Sequence, residues 1–311
     1  MSFAQYLAAK FALDERSLNP AVHAALMQWL CTMPELDCLD VGAGTGATAA
    51  RMLRWRPLGS WRLTALERDP ALVEIARAAA LKVLSESEHA PADSAAAVRS
   101  RASGIEIRFA ACELAAYEPE VAYDLICAHA FLDLVPLAPA LAAFGRWLRP
   151  GGLLYATINC DGAPRLLPRY RNETFESALL DCYVASMESR RLGGLATGGA
   201  YCGRRLLALL PAHGFRVVSA GCSDWRIGAA AGAYPQSDGA CMEALLDLIR
   251  KEGRSSGRFE AGDLRRWRDD RRHLLDAGAL EMHVPNTDVL ARYGDDAAAA
   301  SSLASERAPH G

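Results

Sequence analysis

An α/β protein with a doubly wound, mostly parallel sheet is the fold class this sequence predicts, and three observations predict it. Five short apolar runs, Glu35–Val41, Trp61–Glu67, Ile105–Phe109, Tyr123–Ala128 and Leu153–Ile158, are separated by segments of helical or turn character. Strands alternating with helices imply parallel pairing through right-handed crossovers. The runs are almost continuously apolar, as strands covered on both faces must be. The first run also ends in "GAGTGA", Gly42 to Ala47, a glycine-rich turn from strand to helix at the edge where open α/β sheets bind ligands.

Each element has a local reason. Residues 1–33 read as two short helices broken at Leu18-Asn19-Pro20, with Asn19 as a cap and Pro20 in the first turn. Gly46–Arg56 reads as a helix, Pro57–Ser60 as a turn and Pro70–Leu84 as an Ala-rich helix. Residues 85–104 are small and polar, the composition of a surface loop. A turn near Glu118-Pro119 leads into the fourth strand, Leu137–Leu148 is helical, and Pro150-Gly151-Gly152 turns into the fifth strand. Past Ile158 the rhythm changes. Residues 160–203 hold a helix at about Asn172–Arg191 and a Gly-rich stretch; helix Arg204–Ala212 and strand Phe215–Ala220 restore the alternation. Residues 229–276 form a second insertion with two helices, and Leu280–Val284 is the expected last strand. The expected organisation is a helical lid over 1–33, one domain over 34–293 with cap insertions at about 160–203 and 229–276, and a disordered tail over 294–311.

Composition narrows the class. The chain has 311 residues, 51% hydrophobic and 23% charged, enough for a sizeable core without disulfides. A formal net charge of -3 gives no overall pull toward nucleic acid or anionic membrane. There is no basic segment followed by an apolar one at the N-terminus and no apolar run of membrane-spanning length, so a cytoplasmic enzyme without membrane attachment is expected. The 9 cysteines stand singly, with no C-x-x-C pair, which argues against a zinc site or a disulfide framework.

The glycine loop carries the chemistry. Free N–H groups at the start of a helix bind an anion, and glycines let ligand atoms approach the backbone. "GAGTGA" fits G-x-G-x-x-A, a nicotinamide fingerprint; with Asp40 it also fits D-x-G-x-G-x-G, a loop for S-adenosylmethionine (SAM). A carboxylate at Asp40 would repel a pyrophosphate, whereas the ammonium of SAM could use it. Glu67, at the end of the second strand, can accept two ribose hydroxyls of either ligand.

The ordered segments "LDVGAGTG", "LTALERDP", "IRFAACELAAY", "YDLICAHAFLDLV" and "LRPGGLLYATIN" resemble those of class I SAM-dependent methyltransferases from about residue 36 to 220. The resemblance implies a seven-stranded sheet with its last strand reversed, SAM as cofactor with S-adenosylhomocysteine as product, and no metal. It implies cofactor contacts from Asp40, Gly42, Gly44, Gly46, Glu67 and Arg68, and from Cys112 and Glu113 near the adenine. His129 and Phe131 would lie between cofactor and acceptor. "ACEL" departs from the common pattern, in which an Asp stands in that segment. Tyr6 and Arg16 of the N-terminal helices are expected to close over the cofactor.

The acceptor is expected to be a small molecule. The chain lacks the Asn/Asp-Pro-Pro-Tyr of amino-methylating nucleic-acid enzymes and the acid series of metal-dependent catechol enzymes. In the first insertion Phe175, Leu179, Tyr183 and Met187 lie four apart on one helical stripe, and Arg190 follows by three. Tyr183 and Arg190, with Asn159, Asp161 and Asn286 near the ligand edge, are the candidate acceptor residues; Arg190 would grip a carboxylate. In "DLRRWRDDRRHLLDAG" the pairs Arg265–Asp269 and Arg266–Asp270 describe a solvated face, with Arg271 on the packed side. His129 is the candidate general base. The resemblance extends to enzymes that methylate the sulfur of methionine, and a thioether needs no base. O- or N-methylation of a carboxylate-bearing compound is the alternative, and a SAM-binding module without turnover is a third. A monomer or homodimer is expected.

Overall fold

Six of the seven residues in Glu35–Val41 are buried, and this strand sits at the middle of the main sheet. The computed structural model describes residues 1–55, 60–86, 91–93, 97–100 and 104–294. In chain order the elements begin α1 (Phe3–Ser17), α2 (Pro20–Leu30), β1 (Glu35–Val41), α3 (Ala47–Trp55), β2 (Ser60–Glu67) and α4 (Pro70–Glu86). They continue β3 (Pro91–Asp93), β4 (Ala97–Ser100), β5 (Ile105–Ala111), β6 (Tyr123–His129), α5 (Leu137–Trp147), β7 (Leu148–Cys160) and β8 (Arg165–Leu167). Then come α6 (Glu173–Glu188), β9 (Arg191–Leu192), β10 (Leu195–Ala196), α7 (Cys202–Leu209), β11 (Phe215–Cys222) and β12 (Trp225–Ile227). The last are α8 (Asp238–Ser255), α9 (Ala261–Asp276), β13 (Glu281–Val284) and β14 (Asn286–Tyr293).

The main sheet runs β11-β14-β7-β6-β1-β2-β5-β4-β3. Strands β5, β2, β1, β6 and β7 are parallel, and β14 is antiparallel to both β7 and β11. This is the expected doubly wound seven-stranded sheet with one reversed strand, extended at one edge by the hairpin β3–β4. Apolar faces of α5 and α7 cover one side, and α2, α3 and α4 the other.

Two elements differ from expectation. Part of the segment expected to be a loop, 85–104, is strand: β4 pairs with β5 and β3 with β4. The reversed strand is not Leu280–Val284 but β14; Glu281–Val284 belongs to a separate three-stranded sheet, β12-β13-β8, in the cap. The polar start of β14 hides it. Asp288 is fully buried within the sheet, where its carboxylate accepts the N–H of Asn19 at 2.8 Å and of Ile158 at 2.7 Å. Ile158 has φ 54, a left-handed conformation that breaks the β7–β14 ladder and exposes a donor for Asp288. The expected tail from residue 295 onward lies outside the described residues.

The cap is α6, α8, α9 and the small sheet around their own core, to which α1 contributes Leu13 at 0% exposure. Glu176 of α6 and Arg271 of α9 form a buried bidentate pair at 2.8 and 2.5 Å, and Trp267 adds a third hydrogen bond to Glu176 at 2.7 Å. Charge-assisted bonds in so dry a site fix α6 against α9. The expected pair Arg266–Asp270 is not made: Arg266 pairs with Asp263, and Asp270 with Arg171 at 2.8 Å. Helix α2 is seated on the sheet by Val22, Leu26 and Leu30, and α1 on the cap core by Leu13.

Candidate active site

The carboxyl ends of β1, β2 and β6, the first turns of α3, and α1 meet at the glycine loop. Gly42, Gly44 and Gly46 have φ values of 67, 56 and 87, all left-handed, which is why a residue with a side chain is disfavoured at each. A methyl group placed on Gly42 would come within 2.8 Å of Cγ and Cε2 of the Phe131 ring. One on Gly44 would lie 3.2 Å from Leu7 of α1. The loop is therefore roofed by Phe131 on one side and α1 on the other.

The two acids take different stations. Glu67 accepts the N–H of Gly44 and of Asp69, each at 3.0 Å, and so ties β2 to the loop. Asp40 is 1% exposed, and its Oδ2 finds no hydrogen-bond partner. Burial raises its carboxyl to about 7, partly offset by Thr48 and Arg51, with Glu67 adding to the rise. A buried, unsatisfied carboxylate oxygen beneath a glycine cradle suits a cationic ligand group.

His129 ends β6 in a buried cluster that sequence spacing did not reveal. Its Nδ1 lies 2.7 Å from the Thr157 hydroxyl, and its Nε2 lies 3.0 Å from both Asp14 and Arg51. Lys10 and the Trp225 indole also bond to Asp14, and Glu15 pairs with Arg51. Desolvation and then Arg51 push the imidazole down to about 3, so it is neutral, whereas Lys10 and His129 hold Asp14 well below the usual carboxylate range against the opposing effect of burial. One ring proton serves the cluster: either Nε2–H donates to Asp14 while Thr157 donates to Nδ1, or Nδ1–H donates to Thr157 while Nε2 accepts from Arg51. Both ring nitrogens are engaged either way.

The other candidates divide. Cys112 donates its N–H to the Glu67 carbonyl at 3.0 Å, which places it beside the loop, and exposed Arg68 and Glu113 lie 3.8 Å apart. Arg16 pairs with Asp238 at the start of α8, tying α1 to the cap. Asp161 is held by Arg204 at 2.7 Å and by the Thr287 hydroxyl at 3.2 Å. Asn159 donates to the Thr287 carbonyl at 2.9 Å with its Oδ1 buried and unpartnered; Asn286 donates to the Val284 carbonyl at 3.2 Å. Tyr6, Tyr183 and Arg190 come together. Tyr6 and Tyr183 pack on the cap core, burial raises both phenols, and each senses the other or Asp133, with Arg190 beside Tyr183. Asp133, just past Phe131, is a member of this group that sequence reasoning missed. Among the described residues no group of three or more His, Cys, Asp or Glu could hold a metal ion.

The model of a family described as a methyltransferase domain matches residues 39–156, from β1 to β7 and across the whole glycine loop. This segment is a methyltransferase domain. No curated protein sequence matches it. Among solved structures it is similar to a SAM-dependent methyltransferase from Methanosarcina mazei, with 12% identity, a TM-score of 0.47, and coverage of 89% of this chain and 98% of that one. It is also similar to phosphoethanolamine N-methyltransferase 2 from Haemonchus contortus, in complex with SAM, with 12% identity, a TM-score of 0.42, and coverage of 88% and 52%. No helix among the described residues of the chain is long and apolar enough to cross a membrane.

Proposed function

We propose that the enzyme methylates the sulfur of a small carboxylate-bearing thioether, methionine or a close relative, held under α6 on the far side of Phe131 from the glycine loop. The observation that carries this reading is Arg190. Its guanidinium, at the end of the α6 stripe, makes no hydrogen bond or ion pair among the described residues, yet it lies within electrostatic reach of Tyr183, Asp133 and Cys160. A half-buried Arg without a protein partner is available for a planar anion.

In this reading Asp40 takes the SAM ammonium, the loop N–H groups its carboxylate, and Glu67 the ribose hydroxyls, with Cys112 and Glu113 at the adenine. When bound, SAM supplies a methyl group on a sulfonium; moving it to a thioether sulfur leaves neutral S-adenosylhomocysteine and a new sulfonium, so charge is conserved and no proton is released. The protein's part is to hold the acceptor close and aligned in a dry site. Leu7 and Phe131 exclude water, and Tyr6 and Tyr183 supply the acceptor wall. The engaged, neutral His129 supports an acceptor that needs no base: taking a proton would cost it a partner in the buried cluster.

A SAM-turnover screen of amino acids, thioethers and aromatic acids, read by mass spectrometry, tests the reading. A sulfonium product, with a rate at saturating SAM nearly flat from about pH 6.5 to 9, is expected. Methylation at oxygen or nitrogen, with a neutral-pH step that disappears in His129→Ala, would return His129 to the role of general base. SAM binding without turnover of any acceptor would leave a binding module.

A further inference from the structure

The acceptor reading leaves a second charged group unused. Asp133 sits in the short turn after β6, and the chain around Arg190 is pinned to that turn. The Gly199 N–H donates to the Asp133 carbonyl at 3.0 Å, the Gly198 N–H to the Val135 carbonyl at 2.9 Å, and the Thr197 N–H to the Arg190 carbonyl at 3.3 Å. Gly198 lies so close that a methyl group there would stand 3.1 Å from the Asp133 Cα. Two segments far apart in sequence are thus held in register, one bearing a carboxylate and the other a guanidinium.

These two charges do not neutralise each other directly. Among the described residues Asp133 makes no ion pair, and neither does Arg190, although each lies in the other's field. Lys10, the other cation near Asp133, is already committed to Asp14. The remaining neighbours, Tyr6, Tyr183 and Cys160, have burial-raised values and are neutral. Burial raises the Asp133 carboxyl above its ordinary value while Arg190 and Lys10 oppose the rise, so a cationic ligand group set beside it would hold it in the charged form. A simple carboxylic acid would satisfy Arg190 and leave the half-buried Asp133 without a counter-charge. A zwitterion satisfies both.

We infer that Asp133 is a specificity residue that receives the ammonium group of the acceptor while Arg190 receives its carboxylate, so that the site selects free α-amino acids. This rests on the thioether reading above. It extends that reading by naming the substrate class and a residue that nothing in the sequence motifs pointed to.

The test needs three probes on the wild-type enzyme: L-methionine, the same thioether acid without its amino group, and the same thioether amine without its carboxyl group. Expected is a kcat/KM for L-methionine at least about tenfold above either truncated probe, the scale of one hydrogen bond to a charged group. In Asp133→Asn the KM for L-methionine should rise about tenfold or more, with the SAM KM unchanged and the advantage over the amine-free acid lost. Arg190→Lys should instead erode the advantage over the amine lacking a carboxyl. Equal or better turnover of the amine-free acid by the wild type overturns the role of Asp133 while leaving the thioether reading intact. Failure of all three probes to accept a methyl group overturns the thioether reading itself. A fall in kcat with a new pH step in Asp133→Asn, and KM unchanged, would make Asp133 a base and refute its assignment to the ammonium.

Discussion

Gly42→Ala is the substitution whose cost can be worked most directly from this structure. Two terms add. Gly42 has φ 67, where an alanine is strained by about 1–2 kcal/mol. The new methyl would also fall against the Phe131 ring, 2.8 Å from its Cγ, so the ring must leave its seat or the loop must shift, a typical overpacking cost of about 1–3 kcal/mol. The total is about 2–5 kcal/mol. Only the second term depends on Phe131. In a Phe131→Ala background the space is open, and Gly42→Ala should cost only the backbone term. Urea unfolding of the wild type, both single variants and the double variant gives the coupling, expected at about 1–3 kcal/mol in the relieving direction, with m-values matched across the set. SAM calorimetry on the same four proteins should show Gly42→Ala weakening binding in both backgrounds, because the methyl also occupies ligand space. Simple additivity, a coupling below about 0.5 kcal/mol, would refute the seating of Phe131 on the loop.

Asp40 and Asp14 should give opposite pH signatures. The folded state holds a proton on Asp40 up to about 7 while the unfolded state releases it near 3.8, so between these values the folded form binds more protons and Asp40 makes stability fall as pH rises, by on the order of 4 kcal/mol without ligand. Asp40→Asn should flatten that slope, and wild-type SAM affinity should tighten as pH rises toward about 7; SAM affinity unchanged between about pH 5.5 and 7.5 would remove Asp40 from the ammonium. Asp14, depressed by Lys10 and His129, contributes stability above its unfolded value that is lost as pH falls through its folded one. Asp14→Asn should cost roughly 3–5 kcal/mol near neutral pH, the penalty for stranding buried Lys10. That difference from wild type should begin to shrink only below about pH 4 and go on shrinking through the acid range; thermal unfolding from about pH 2 to 8 reads it, and a difference constant down to about pH 2 would refute it.

The parts of this fold legible in the sequence were those whose local pattern and burial agree. The strand ending at Val41, the left-handed glycines and the Asn19–Pro20 helix start were readable because period, capping and backbone preference all pointed one way. Strand β14 was not, because its core position is filled by Asp288, whose partners are backbone donors from Asn19 and Ile158 that no local window contains. The same holds at the site. Glu67 and the glycine loop could be placed from spacing alone. Arg16 and Asp161 could not, because their partners, Asp238 and Arg204, lie in the cap and past its first insertion.

His129 shows why a residue's position in a motif does not fix its chemistry. The sequence correctly put a histidine at the end of the fourth strand of the motif. What it could not show is that α1, more than 100 residues earlier, delivers Asp14 to that imidazole, while α3 delivers Arg51. A base must have a free lone pair and a conjugate acid that its surroundings tolerate. Here the lone pair is spoken for, and Arg51 beside a desolvated ring opposes the imidazolium, which is why the ring is held down to about 3. The cluster instead couples three elements of the cofactor end: α1, whose Leu7 roofs Gly44; α3, whose first turn opens at the glycine loop; and β6, which leads to Phe131. Proton affinity is thus traded for position. On the proposed thioether reading that trade is useful, because the acceptor brings no proton to remove and the rate depends on how closely two sulfur atoms are aligned across a methyl group.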